Sequence, residues 1–122
     1  MGGLFLDSII RSIVRNVRKQ RRVDDALSWP IAVGKISMFR LGKNLDSHVS
    51  PDLVFSYEIN GETFYGSAGG TAIEAKQINW VTDAINGIEV IHVRYDPSDP
   101  ASSCLLNQDN PKIPFEIDHT PY

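Results

Sequence analysis

Leu53-Val54-Phe55-Ser56-Tyr57-Glu58-Ile59-Asn60-Gly61-Glu62-Thr63-Phe64-Tyr65-Gly66 is the stretch on which the fold turns. Leu53, Phe55, Tyr57 and Ile59 recur at period two, the repeat of a strand with one buried face. Asn60-Gly61 then supplies two residues that tolerate positive φ, as a tight hairpin turn requires. Glu62 to Gly66 should therefore return antiparallel, with Phe64 and Tyr65 placing one aromatic on each face.

Upstream of this hairpin, Ile31, Val33, Ile36, Met38 and Leu41 form a β-prone run that opens after Trp29-Pro30. Gly34 within it reads as a bend or bulge. Gly42 to Pro51 is polar and reads as a loop. Downstream, Gly66-Ser67-Ala68-Gly69-Gly70 reads as a flexible link into a helix over Thr71–Asn86. Thr71 and Glu74 have capping-box spacing, and Ala75, Ile78, Val81 or Thr82, and Ile85 form its apolar stripe. Gly87 stands where a left-handed cap is expected. Ile88 to Tyr95 predicts a strand, Asp96 to Pro100 a turn that Asp96 can cap and Pro97 and Pro100 rigidify, and Ser103 to Leu106 a short returning strand. Ile113 to Ile117 predicts an edge strand, because Pro111 and Pro114 bar a central one.

The expected fold class is α+β: a small, mostly antiparallel sheet or partly open barrel of about five strands packed with one helix. At 122 residues the chain is long enough for one domain with a real core. The expected organisation is a basic amphipathic helix over 1–22, a connector over 23–28, a single α+β domain over 29–117 and a tail over 118–122.

The amphipathic helix carries Phe5, Leu6, Ile9, Ile10, Ile13, Val14 and Val17 on one half of its wheel, with Leu4 a further apolar position before them. Arg11, Arg15, Arg18, Lys19 and Arg22 lie on the other half. Residues 1–22 have a formal charge of +5 and residues 23–122 one of −8. Three readings of this asymmetry stay open. The helix lies in an anionic membrane interface, packs on the body or on a second copy, or contacts nucleic acid. The acidic body argues against nucleic acid. Asp7 and Arg11 interrupt the apolar set, so no spanning segment is expected. The charges follow the apolar residues, the reverse of a secretory signal. Gly2 lacks the Ser or Thr that myristoylation needs four residues on. The single Cys104 excludes an internal disulfide and reads as a small buried hydrophobe. The expected location is cytoplasmic, with peripheral attachment at the inner membrane.

Chemistry is not legible in this sequence. Gly69, Gly70 and Thr71 sit between a strand and a helix, where backbone N–H groups can hold an anion. The segment lacks the Lys of a P-loop, since Thr71 follows Gly70 directly. Ser67 is not in a nucleophile-elbow pattern. His48, His92 and His119 have no second ligand at metal spacing, and Asp96 with Asp99 fall short of a calcium ligand set. Trp29 and Trp80 read as core anchors. No catalytic, cofactor-binding or metal-ligating residue is assigned.

The body also carries a pattern of its own. Trp29-Pro30 is followed by Gly34, by Tyr57 with Asn60-Gly61-Glu62-Thr63-Phe64-Tyr65-Gly66, and by Val90-Ile91-His92-Val93-Arg94-Tyr95-Asp96-Pro97-Ser98-Asp99-Pro100 with Ser103 and Leu105. Over roughly residues 29–106 this resembles the bacterial domain of unknown function three-five-nine-two, whose most specific element is the late V-x-Y-D/N-P-x-x-P segment. The resemblance implies a small β-rich domain, often membrane-associated through flanking transmembrane helices, and implies no catalytic residues. Here the basic amphipathic helix occupies the place of such a spanning segment. The expected function is a non-enzymatic membrane-peripheral or protein-interaction module, attached or self-associating through Phe5, Ile9, Ile10, Ile13, Val14 and Val17 and the adjoining cations. The alternative is a small-ligand or phosphate binder, or an enzyme, with a pocket near Gly66–Thr71.

Overall fold

The computed structural model describes residues 23–43 and 47–119; the helix expected over 1–22 lies outside them. The hairpin forms as its sequence predicts. Ile59 pairs with Glu62 across a two-residue turn in which Asn60 (φ 52°) and Gly61 (φ 83°) are both left-handed. Primed turns of this kind match the twist of the flanking strands.

The strands are β1 (Ile31–Lys43), β2 (His48–Ile59), β3 (Glu62–Gly69), β4 (Ile73–Glu74), β5 (Ile91–Asp96) and β6 (Asp99–Cys104). They pair antiparallel in the order β3-β2-β1-β5-β6, and β4 adds to the free end of β2. The sheet curls until β3 meets β6, making a nearly closed barrel. Two short helices, α1 (Val23–Ala26) and α2 (Ile78–Asn86), accompany it. The interior holds Leu53, Phe55 and Tyr57 of β2, Ile91 and Val93 of β5, and Leu105 beyond β6. Val81 and Ile85 of α2 pack on the same core, as the helical stripe predicts.

Several boundaries move for identifiable reasons. The stretch Gly42–Pro51, read as a loop, is largely strand: β1 runs to Lys43 and β2 begins at His48. Pro51 is tolerated in β2 because its carbonyl accepts the Gly70 N–H at 2.9 Å. A strand residue's N and C=O point to one side, so the missing donor falls where β3 has ended and β4 has not begun. Gly34 is not the bulge. It lies in register with both Tyr57 and Ile91, while the extra residue is Ser37, between Ile36 and Met38. That bulge reverses the parity of β1 and turns Phe39, not Met38, onto the core.

The helix over Thr71–Asn86 is shorter than its capping box predicts. Ile73 and Glu74 pair with Val49 and His48, a 3₁₀ turn covers Ala75–Gln77, and α2 starts at Ile78. Extending the β2 ladder outcompetes the local cap. Gly87 ends α2 with a right-handed φ of −82°. The strand expected over Ile88–Tyr95 begins only at Ile91, and the return strand begins earlier, at Asp99. Asp96 does cap the intervening turn, accepting the Ser98 N–H at 2.9 Å and its hydroxyl at 2.7 Å.

The Ile113–Ile117 segment is not an edge strand. Ile113, Phe115 and Ile117 alternate into the core, but Ile117 makes a lone bridge to Gly70. The pairing comes from a side chain instead: Asn107 Nδ2 donates to the Phe115 carbonyl at 2.9 Å, and Asn107 Oδ1 accepts the Ile117 N–H at 2.8 Å. The stretch 23–28, read as a connector, contains α1, whose fully buried Ala26 packs on Cys104 and Leu106. Trp29 joins that cluster from its edge, whereas Trp80 is 62% exposed and anchors no core.

Candidate functional site

The backbone of the glycine segment is hydrogen-bonded within the fold. The Gly70 N–H donates to the Pro51 carbonyl at 2.9 Å and the Thr71 N–H to the Glu116 carbonyl at 2.9 Å. The Gly69 carbonyl accepts the Asp118 N–H at 2.8 Å. These groups stitch β3 to β2 and to the C-terminal segment. The glycines here serve close packing: a Cβ on Gly70 would stand 2.3 Å from the Phe115 ring, and one on Gly66 2.7 Å from the Phe55 ring. A cleft of about 570 Å³ does open beside Gly69 and Gly70. Its rim carries Asp52, Asp118 and Arg40, and Arg40 is paired with Asp52 at 2.5 Å. Two carboxylates beside one engaged guanidinium make a poor anion receptor.

A second group gathers around Arg94, which the sequence did not single out. Arg94 Nε and Nη2 donate to the two carboxylate oxygens of Asp109 at 2.7 and 2.9 Å, and Nη1 donates to the Leu27 carbonyl at 2.6 Å. Both side chains are largely buried, at 13% and 9% exposure. The Asp109 bonds hold the guanidinium above its ordinary pKa. Next to the pair, Asn110 makes its side-chain amide into a surrogate strand residue. Its Oδ1 accepts the His92 N–H at 2.8 Å, and its Nδ2 donates to the His92 and Leu106 carbonyls at 2.9 and 3.0 Å. Thus Arg94, Asp109 and Asn110 tie α1, β5 and the segment after β6 together. No local spacing rule reveals them, since Arg94 and Asp109 stand fifteen residues apart.

Of the remaining reactive groups, Tyr57 and Cys104 are buried. Tyr57, fully buried, donates its hydroxyl to the Pro100 carbonyl at 2.7 Å, and burial pushes its phenol far above the usual value. Burial pushes the Cys104 thiol up to about 11. His48 lies in β2 opposite Glu74, exposed His92 lies in β5, and half-buried His119 follows Asp118, its imidazole lowered by desolvation. Among the described residues no group of three metal-ligating side chains is close enough to hold an ion.

The outer face of the barrel is different. Residues opposed across an antiparallel ladder share a face. Ile31 opposes Arg94, Val33 opposes His92, and Ser56 opposes both Lys35 and Tyr65. All of these therefore point outward, away from buried Ile91 and Val93. A groove of about 840 Å³ crosses this face, with Ile31, Val33 and Val90 largely exposed along it and Glu58, Glu89 and Lys35 as its charges. The signal in the sequence was that β1 is apolar on both faces, with Ile31 and Val33 on one and Ala32 and Ile36 on the other. The residues proposed to make membrane or partner contacts, Phe5 to Arg22, lie outside the described residues. Among the described residues no helix is long and apolar enough to cross a membrane.

Fold and surface together define a β-rich α+β barrel domain with an apolar groove on its outer wall. No family profile, curated protein or solved structure matches the chain.

Proposed function

We propose that this chain is a non-enzymatic attachment module, held at an anionic membrane surface through the amphipathic segment Leu4–Arg22. The observation that carries the reading is the division of charge: +5 in residues 1–22 against −8 in the rest of the chain. An acidic body is repelled by an anionic bilayer, so attraction concentrates in the cationic, apolar-faced segment. The body supports the reading by how its polar groups are used. Arg94, Asp109, Asn107, Asn110 and Tyr57 all hold backbone carbonyls, amides or each other. Kinship with domain three-five-nine-two belongs to the same proposal. Its quoted segments fall on one barrel, with Tyr57 of β2 bonded to Pro100 of the late motif.

The test is co-sedimentation with phosphatidylglycerol-containing and neutral vesicles, for the native chain and for Ile13→Asp. The native chain should pellet with the anionic vesicles only, and Ile13→Asp should stay in the supernatant, since a carboxylate on the apolar face resists burial. Equal recovery of both proteins in both vesicle types overturns the proposal.

A further inference from the structure

We propose that Asn60, in the turn between β2 and β3, is a site of spontaneous deamidation in the folded protein, and that Asn86 is protected from the same reaction. The chain holds the tripeptide Ile-Asn-Gly twice, at Ile59-Asn60-Gly61 and at Ile85-Asn86-Gly87, and both asparagines are exposed. A glycine after asparagine puts no side chain in the way of ring closure. Local sequence therefore leaves the two sites equal, and the fold separates them.

The reaction needs only water and solvent base. The Gly61 amide nitrogen, on losing its proton, attacks Asn60 Cγ. The N–Cγ bond forms, the Cγ–Nδ2 bond breaks, and Nδ2 leaves as ammonia. Water then opens the five-membered imide. Addition at Cγ gives aspartate, and addition at the backbone carbonyl gives isoaspartate, whose main chain runs through Cβ and Cγ. Either product adds one carboxylate to a body whose formal charge is already −8.

Ring closure requires the glycine nitrogen to lie beside Cβ about the asparagine Cα–C bond. That sets the asparagine ψ near about −120°, the value at the first central position of a type II′ turn. Asn60 and Gly61 have φ of 52° and 83°, the signs of a type I′ turn. The first ψ of that turn is about +30°. Flipping the single peptide plane between them by about 150° converts I′ to II′ and keeps φ positive at Asn60. Both turns close two-residue hairpins, so the Ile59–Glu62 pair stays in place during the flip. Little resists it. The Gly61 N–H has no backbone acceptor among the described residues, and open space surrounds the position a Gly61 Cβ would take. Glycine also accepts the reversal of φ that the flip imposes.

Asn86 is the last residue of α2. The nitrogen that would attack it, that of Gly87, donates to the Asp83 and Ala84 carbonyls at 3.1 and 3.3 Å. From a helical ψ of about −42° the bond must turn by about 80° to reach the reactive geometry. Both hydrogen bonds must break first, and they close the helix end that seats Ile85 in the core. The smaller rotation is thus the more obstructed one.

The test is peptide mapping by mass spectrometry of the full-length chain aged in mildly alkaline buffer, with aspartate and isoaspartate resolved at each position. In the folded protein Asn60 should deamidate at least tenfold faster than Asn86. In urea the two rates should converge to within about twofold, because the unfolded chain offers both sites the same Ile-Asn-Gly context. Equal rates in the folded protein overturn the proposal, since they place the reaction in globally unfolded molecules. A faster Asn86 overturns it as well. So does a tenfold ratio that persists in urea, which would make flanking sequence the cause. Survival of Asn60 in the folded chain over the time that consumes it in urea also overturns the proposal.

Discussion

The guanidinium of Arg94 and the carboxylate of Asp109 meet through two parallel hydrogen bonds of 2.7 and 2.9 Å, nearly out of water, and join three separate parts of the chain. Breaking a buried pair leaves one charge without a partner, which costs more than the pair contributes. Asp109→Ala should lower the unfolding free energy by about 3 kcal/mol, near the foot of the range for such losses. Arg94→Lys should recover less than half of an Arg94→Ala loss, because an ammonium cannot reproduce the fork that holds Asp109 and Leu27 together. Urea unfolding of the three variants checks both statements.

Gly70→Ala should destabilise by about 2 kcal/mol, because the new methyl group must displace the Phe115 ring. Coupling it with Phe115→Leu should restore part of that loss, giving a double-mutant interaction energy of about 1 kcal/mol. Strict additivity of the two changes would show that the ring is not what Gly70 accommodates.

Tyr57→Phe should cost about 1 kcal/mol at neutral pH through loss of the bond to Pro100. The phenol is raised above its ordinary value of 10.0 in the folded protein. The folded state then holds the proton more tightly than the unfolded state. The resulting stability is complete below about pH 10 and declines as the pH climbs further, by up to about 1.4 kcal/mol per unit. The gap between native and Tyr57→Phe stability should consequently shrink above pH 10. Cys104 has the same sign from its ordinary 9.0 upward, and contributes equally to both proteins. Chemical denaturation at pH 8, 10 and 11 measures the gap.

Asn110→Asp should destabilise by about 3 kcal/mol, since a carboxylate in place of Nδ2 would face the His92 and Leu106 carbonyls with no hydrogen to give. Asn110→Ala should cost less, because it removes bonds without adding repulsion. Trp80→Ser, on an exposed helix face, should stay within about 0.5 kcal/mol of the native protein. Thermal melts of all three rank them.

Much of the barrel was legible along the chain. Period-two burial in Leu53, Phe55 and Tyr57, the Asn60-Gly61 turn and the Asp96 cap are local properties, encoded within a few residues of where they act. The groove was half legible: β1 is apolar on both faces, but nothing along the chain says which face meets the core. The site candidates at Gly69, Gly70 and Thr71 looked like an open loop because glycine signals backbone freedom and close packing alike.

What needed the third dimension was every partner chosen across distance. Arg94 finds Asp109, Asn110 substitutes for a strand beside His92, and Ile73 leaves a helix to lengthen the β2 ladder. Ser37 becomes the bulge where β1 shifts register against β2, and that shift turns Phe39 onto the core. Local sequence decides turns and periodicity, since those depend on φ, ψ and neighbouring side chains. Register, strand ends and the seats of buried polar groups are decided by which distant atoms the closed barrel brings within hydrogen-bond reach.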